Sequence, residues 1–358
     1  MLFDAYKLGP IQLSNRIVMA PLTRSRALDR NIPNALMAEY YGQRATAGLI
    51  ITEGTSPSPN GLGYARIPGL FNAEQVAGWK LTTQAVHEKG GKIFIQFMHT
   101  GRVTHQINLP AGAHVVGPGA EVCPGEMWTD SSGMQPHTAP NPMTAADIAV
   151  AVGEFAHAAK LAIEAGFDGV EIHAANGYLI EQFLNANVNK RTDNYGSSAE
   201  NRNRFALEVV NATITAIGAE RVGIRISPFG VFNATGAFDG LEAQYLSLAE
   251  TLGKLGLAYL HLVDHSSMGA PIVPAAFKAD LQKAFGRTFI ASGGFDGKSA
   301  ETALQEKRGD LVAFGRHMLA NPDLVARLKS GATLNAPDAS TFYTPGPKGY
   351  TDYPALAA

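Results

Sequence analysis

Residues 288–316 read TFIASGGFDGKSAETALQEKRGDLVAFGR. Two short apolar runs, 288–294 and 311–316, flank a stretch of helix length at 299–307. Each run ends in a glycine-bearing turn, Gly293-Gly294 in the first and Gly315-Arg316 in the second. Working outward, the same alternation recurs. Strand-length runs stand at 15–22, 49–54, 92–99, 169–175, 222–228 and 258–264. Helix-length stretches stand at 34–47, 73–89, 144–165, 178–186, 199–216, 242–255 and 275–285. Several of the runs are apolar on both faces, as buried parallel strands are. Eight strand–helix units in a chain of 358 residues predict an α/β fold, the (β/α)8 TIM barrel. A doubly wound sheet would favour a G-x-G-x-x-G turn after an early strand, and none occurs.

Local signals support the helices. Thr144 with Asp147 three positions on starts the 144–165 helix, Ile148, Val152, Phe155 and Ala159 mark its buried face, and Gly166 ends it. Ser197-Ser198-Ala199-Glu200 reads as a capping box before the 199–216 helix. Three segments fall outside the repeat. Residues 2–13 form an expected N-terminal hairpin around Gly9-Pro10, plugging the barrel's bottom. Residues 100–143, rich in Gly, Pro and His, are an insertion after strand three. The tail 337–358, with four prolines and three tyrosines, is expected over the barrel mouth. Residues 1–358 are thus read as a single domain.

Composition narrows the function. Hydrophobic residues are 46% and charged residues 17%, which fits a globular core and not a disordered chain. A net charge of −2, with no single-sign block, argues against nucleic-acid binding. The lone cysteine, Cys123, excludes an internal disulfide framework and a cysteine-only metal cluster. A reducing compartment, with no signal peptide or membrane span, gives a cytoplasmic expectation. The expected partner is a small-molecule substrate, not a membrane, and the chain is read as a monomer or homodimer.

Barrel enzymes build their sites at the C-terminal ends of the strands. Gln96 and Arg225 are the odd residues there, polar in mid-strand. An unpaired buried amide or charge costs several kcal/mol, so each needs a partner. Each other, a carboxylate such as Glu53, or a bound heterocycle with carbonyl and imide groups would serve. The last is favoured by the two glycine turns, which let backbone N–H groups and Arg316 grip a phosphate. His173, Asn176 and Tyr178 cluster at the mouth of strand four. The first two can donate to one oxygen, and Tyr178 has a proton to give. His261, Asp264 and His265 near strand six allow a zinc site to be considered, but no H-x-H or H-E-x-x-H pattern occurs, and no metal is expected. His99, His105, His114 and Cys123 are read as structural, solvated or incidental.

These residues lie within longer matches. NRIVMAPLTR (15–24), AEYYGQRATAGLIITEG (38–54), GFDGVEIHAANGYLIEQFLN (166–185), RTDNYGSSAENRNRF (191–205), VAFGRHMLANPDLV (312–325) and FYTPGPKGYTDYP (342–354) resemble, in order, the old yellow enzyme family of FMN-dependent ene-reductases. The resemblance implies FMN as cofactor and NADPH or NADH as hydride donor. It implies that Pro21, Leu22, Thr23, Gly54, Gln96 and Arg225 bind the flavin ring, and that Gly293, Gly294, Gly315 and Arg316 hold the phosphate. His173 and Asn176 would bind the substrate's activating oxygen, and Tyr178 would supply the proton. Thr23, Tyr64, Met98 and Tyr343 would line the substrate pocket. Thr23, in place of a cysteine, sets the chain beside the branch of pentaerythritol tetranitrate reductase and N-ethylmaleimide reductase. Three positions depart from the family pattern. Met98 stands where many relatives carry tryptophan, Ser198 where glycine is common, and the 264–277 segment is shorter. Rival readings are a phosphosugar isomerase or aldolase and a non-catalytic flavin-binding protein.

Overall fold

Side chains along the strand-length runs alternate between the barrel interior and the surrounding helices. The computed structural model describes residues 1–356. Its central sheet has strands β1 (Ile17–Met19), β2 (Leu49–Thr55), β3 (Ile93–Phe97) and β4 (Gly169–Ala174). It continues with β5 (Val222–Ile226), β6 (Tyr259–Val263), β7 (Thr288–Ser292) and β8 (Leu311–Phe314). The eight pair in sequence order, all parallel, and β8 pairs back to β1. This is the predicted (β/α)8 barrel.

Around it lie α1 (Ala35–Gln43), α2 (Ala73–His87), α3 (Ala145–Glu164) and α4 (Ala199–Ile217). They are followed by α5 (Leu241–Leu255), α6 (Ala275–Phe285), α7 (Gly297–Gln305) and α8 (Leu324–Ser330). Short helices Leu179–Leu184 and Arg316–Ala320 follow β4 and β8 directly. The expected Thr144–Asp147 capping box is present, and Ile148, Phe155 and Ala159 are buried against the barrel. Truncating such a phenylalanine typically costs about 3–5 kcal/mol, so Phe155 anchors α3. The second expected box is not formed. Ser197 takes a left-handed conformation, so Ser198 becomes the cap and accepts from Asn201 N–H. The glutamate then sits one position too early to reach back.

Inside the barrel the residues change character with height. Toward the N-terminal ends, Val18, Ile51, Phe94, Tyr259 and Ile290 form an apolar plug. Leu8 and Leu13 of the N-terminal hairpin (Tyr6–Leu8 with Ile11–Leu13) close it from below, as expected. Phe94 and Tyr259 fill this space only because β4 has Gly169 and β5 has Gly223, whose Cβ atoms would lie 2.5 Å from the Phe94 ring and 2.2 Å from the Tyr259 ring. Higher up, Gln96 and Glu171 stand level on β3 and β4, and His173, Arg225 and His261 level on β4–β6. The period-two alternation that buries the plug therefore also turns these polar side chains inward.

The C-terminal tail crosses the barrel mouth. Arg24 and Arg26, on the loop after β1, donate to the carbonyls of Phe342 and Gly349 and of Thr341 and Phe342. Tyr350 stacks on Tyr40 of α1 with centroids 4.0 Å apart. Together these contacts hold Phe342 and Tyr343 above the strand ends. No helix among the described residues is long and apolar enough to cross a membrane.

Candidate active site

A cavity of about 660 Å³ opens at the C-terminal ends of the strands. Every residue named above as a flavin, phosphate, substrate or catalytic candidate lines it, from Pro21 to Tyr343. The volume lies within the range of ordinary cofactor pockets. Asp264, His265, Phe232 and Asn233 line it as well.

Gln96 has a partner, but not the one offered first. Its Nε2 donates to Glu171 Oε1 at 2.7 Å, and the other carboxylate oxygen pairs with His261 Nδ1 at 2.9 Å. Glu53 is elsewhere. A register shift between β2 and β3 at Ile51–Gly54 takes it out of the inward alternation. Its carboxylate instead accepts from Arg24 N–H and Tyr41 OH. Burial pushes the Glu53 carboxyl above its ordinary range. Arg225 is different again: it is buried, and its fully enclosed Nε has no hydrogen-bond partner among the described residues. Burial lowers its pKa, with Glu171 opposing. A buried cation facing a cavity without an acceptor is costly unless a ligand supplies one.

The glycines shape the same space. A Cβ on Gly54 would fall 2.6 Å from Met98 Sδ. Gly294 has φ +71°, and together with Gly293 it turns the chain under the cavity rim. Arg316 begins the short helix after Gly315. Met98 is itself buried, packed with Leu62, Leu109, Ala113 and Val115. Part of the room a tryptophan would take is therefore filled by the 100–143 insertion.

His173, Asn176 and Tyr178 come together as expected. His173 Nδ1 accepts from Ala175 N–H at 3.2 Å, so in the neutral ring Nε2 carries the proton. Burial, helped by Arg225, holds His173 well below the usual histidine range, so the ring is neutral. Asn176 has φ +60°, and its backbone is tied at both ends. Its N–H donates to Ser227 Oγ at 2.8 Å, and its carbonyl accepts from Asn233 Nδ2 at 2.7 Å. Its Oδ1 meets His265 Nε2 at 2.7 Å. Tyr178 caps the helix Leu179–Leu184 and crosses the His173 ring edge-on, with centroids 5.0 Å apart. Its hydroxyl is 2.9 Å from that of Tyr64. Burial pushes Tyr178 up to about 12, so it holds its proton at neutral pH.

Sequence reasoning missed Glu171, although its place two residues before His173 puts both on one face of β4. It also missed Glu181, which accepts from Gly177 N–H at 2.6 Å and steadies the turn between Asn176 and Tyr178. His261 and His265 are not brought together: one faces Glu171 inside the barrel, the other Asn176 at the mouth. Among the described residues no group of three or more His, Cys, Asp or Glu could hold a metal ion.

Comparison with known proteins agrees with this architecture. The NADH:flavin oxidoreductase / NADH oxidase family matches residues 1–335. A probable flavin mononucleotide-dependent alkene reductase of Leishmania infantum is 43% identical over 354 residues, covering 97% of this chain and 95% of that one. Morphinone reductase in complex with tetrahydroNAD superposes with a TM-score of 0.94 at 44% identity, covering 99% of this chain and 98% of that one. An old yellow enzyme homologue from Zymomonas mobilis gives 0.94 at 38% identity, covering 99% of both chains. The chain belongs to the NADH:flavin oxidoreductase / NADH oxidase family and is a flavin-dependent oxidoreductase of the old yellow enzyme type.

Proposed function

We propose that the protein is an FMN-dependent reductase of activated alkenes (enones, maleimides and nitroalkenes) that draws its electrons from NADPH or NADH. The observation that carries the reading is the pairing of two neutral N–H donors, on His173 and Asn176, with the protonated Tyr178 beside them. Support for the cofactor comes from the enclosed Arg225 cation, which suits the N1 and C2-carbonyl edge of a flavin. Gln96 would meet the pyrimidine side, and Pro21, Leu22, Thr23 and Gly54 the ring's flank. The backbone of Gly293, Gly294 and Gly315, with the Arg316 guanidinium, would hold the phosphate.

FMN held there would supply the redox chemistry, hydride transfer between the nicotinamide and the alkene's β-carbon. The protein's part is binding, polarisation and proton supply. His173 Nε2–H and Asn176 Nδ2–H donate to the carbonyl or nitro oxygen and draw electron density from the double bond. The β-carbon becomes electrophilic in consequence. Tyr178 gives its proton to the α-carbon, and its high pKa ensures that the proton is present beforehand. Tyr64 and Tyr343 border the pocket, and the nicotinamide and alkene use it in turn.

An isomerase or aldolase would need a lysine or carboxylate base in the cavity. The carboxylate lining it, Asp264, is held at 2.5 Å by Lys278 and accepts from Ser266 N–H. Turnover of cyclohexenone in D2O tests the reading. One deuterium at the α-carbon is the expected product. An α-carbon that takes up no deuterium would contradict it.

A further inference from the structure

Three loops meet at Asn176. The turn after β4 carries the residue itself. The turn after β5 brings Asn233, which donates to its carbonyl, and Phe232. The loop after β6 brings His265, which meets its side chain. The Asn233 bond and the bond from Asn176 N–H to Ser227 Oγ fix the backbone of Asn176. Neither fixes which end of its amide faces the cavity, because the two ends are nearly equal in shape. That choice falls to His265.

The His265 ring has little freedom. Its centroid lies 4.7 Å from that of Phe232, at an angle of 72°, and its Nε2 stands 2.7 Å from Asn176 Oδ1. Burial and the Arg225 charge lower its pKa to about 4, so at neutral pH the ring carries a single N–H. Placed on Nε2, that proton takes up Asn176 Oδ1 and leaves the Nδ2 hydrogens for the cavity. The reverse arrangement would turn the carbonyl oxygen into the cavity, where it repels a substrate oxygen.

We infer that His265 is a positioning residue, which by donating to Asn176 Oδ1 turns the amide so that its N–H groups face the substrate's activating oxygen. The inference rests on the reading of Asn176 as an oxygen-binding donor. It assigns to the loop after β6 a role in selecting ligands with an acceptor oxygen at this point. His265 does not itself deliver a proton or touch the reacting carbons.

The test uses the FMN-loaded protein and phenol, whose oxygen is an acceptor, with binding read from the change in flavin absorption. Parent, Asn176→Ala, His265→Leu, the double variant and His265→Gln are titrated, and flavin content and melting temperature report folding. Asn176→Ala and His265→Leu should each raise the phenol Kd roughly tenfold, the size of one hydrogen bond. The double variant should bind no more weakly than Asn176→Ala alone, because His265 acts through that side chain. His265→Gln should return the Kd to within about threefold of the parent, since its amide N–H can replace the Nε2 proton. Unchanged binding in His265→Leu, or an effect that adds in full to that of Asn176→Ala, overturns the inference while leaving the oxygen site intact. Unchanged binding in Asn176→Ala overturns the reading of the oxygen site, and the role of His265 with it.

Discussion

The hydroxyl oxygens of Tyr64 and Tyr178 stand 2.9 Å apart, one on the loop after β2 and the other at the start of the helix after β4. Both are raised by burial, Tyr64 well above the usual tyrosine range and Tyr178 to about 12. A hydrogen bond from Tyr64 lowers the cost of the Tyr178 phenolate, so Tyr64 is suited to support proton loss from Tyr178. Tyr178→Phe should slow enone reduction roughly a hundredfold or more, the scale of one general acid. Bleaching of the flavin by nicotinamide should stay near the parent rate. Tyr64→Phe should slow enone reduction less, about tenfold, since it removes only one supporting hydrogen bond. Stopped-flow traces of the two half-reactions separate these effects. An equally fast enone step in Tyr178→Phe would place the proton donor elsewhere.

Arg225 offers a different measurement. Its enclosed guanidinium is the cation that a flavin's pyrimidine edge would answer. Replacing it with methionine keeps bulk and removes charge, so the fold should survive. The purified variant should carry markedly less FMN per chain, as read from the ratio of flavin to protein absorbance. Full occupancy with an unchanged rate of flavin reduction would count against the assigned role.

Glu181 predicts a pH dependence of stability. Burial raises its carboxyl to about 8, against hydrogen bonds from Gly177, Ser227 and Tyr245 that lower it. The folded state thus keeps a proton that the unfolded chain releases above about pH 4.5. Stability attributable to this group is highest in acid and falls as pH rises from about 4.5 to 8, by at most about 1.4 kcal/mol per pH unit. Glu181→Gln keeps an acceptor for Gly177 N–H and removes the titration. The melting temperature of the parent should therefore fall relative to that of the variant between pH 5 and 8. Parallel curves would show that Glu181 is already ionised in the folded protein.

Much of the site was legible in the sequence because barrel topology gathers strand ends. Once eight strand–helix units are recognised, His173, Arg225 and Gly294 must converge, though 121 residues separate the first from the last. Pairings within the barrel were less legible. Gln96 meets Glu171 because β3 and β4 align at those positions, and register is a property of two strands, not one. The place of Glu53 is not legible, because the β2 register shift cannot be seen in its own run of residues. His265 reads from sequence only as a possible metal ligand, since its partner Asn176 lies 89 residues away on another loop. Ser198 became the helix cap because Ser197 turned left-handed, a choice imposed by the preceding loop.

A flavin held in this cavity would meet a nicotinamide and an activated alkene in turn, and anaerobic titration of the purified protein follows both encounters. The protein should be yellow, with one FMN per chain, and should bleach on addition of NADPH or NADH. Cyclohexenone added to the bleached protein should restore the oxidised spectrum in a stoichiometric amount. A colourless protein that cannot be loaded with FMN would contradict the account, and so would a bleached one that cyclohexenone, N-ethylmaleimide and nitroalkenes all leave reduced.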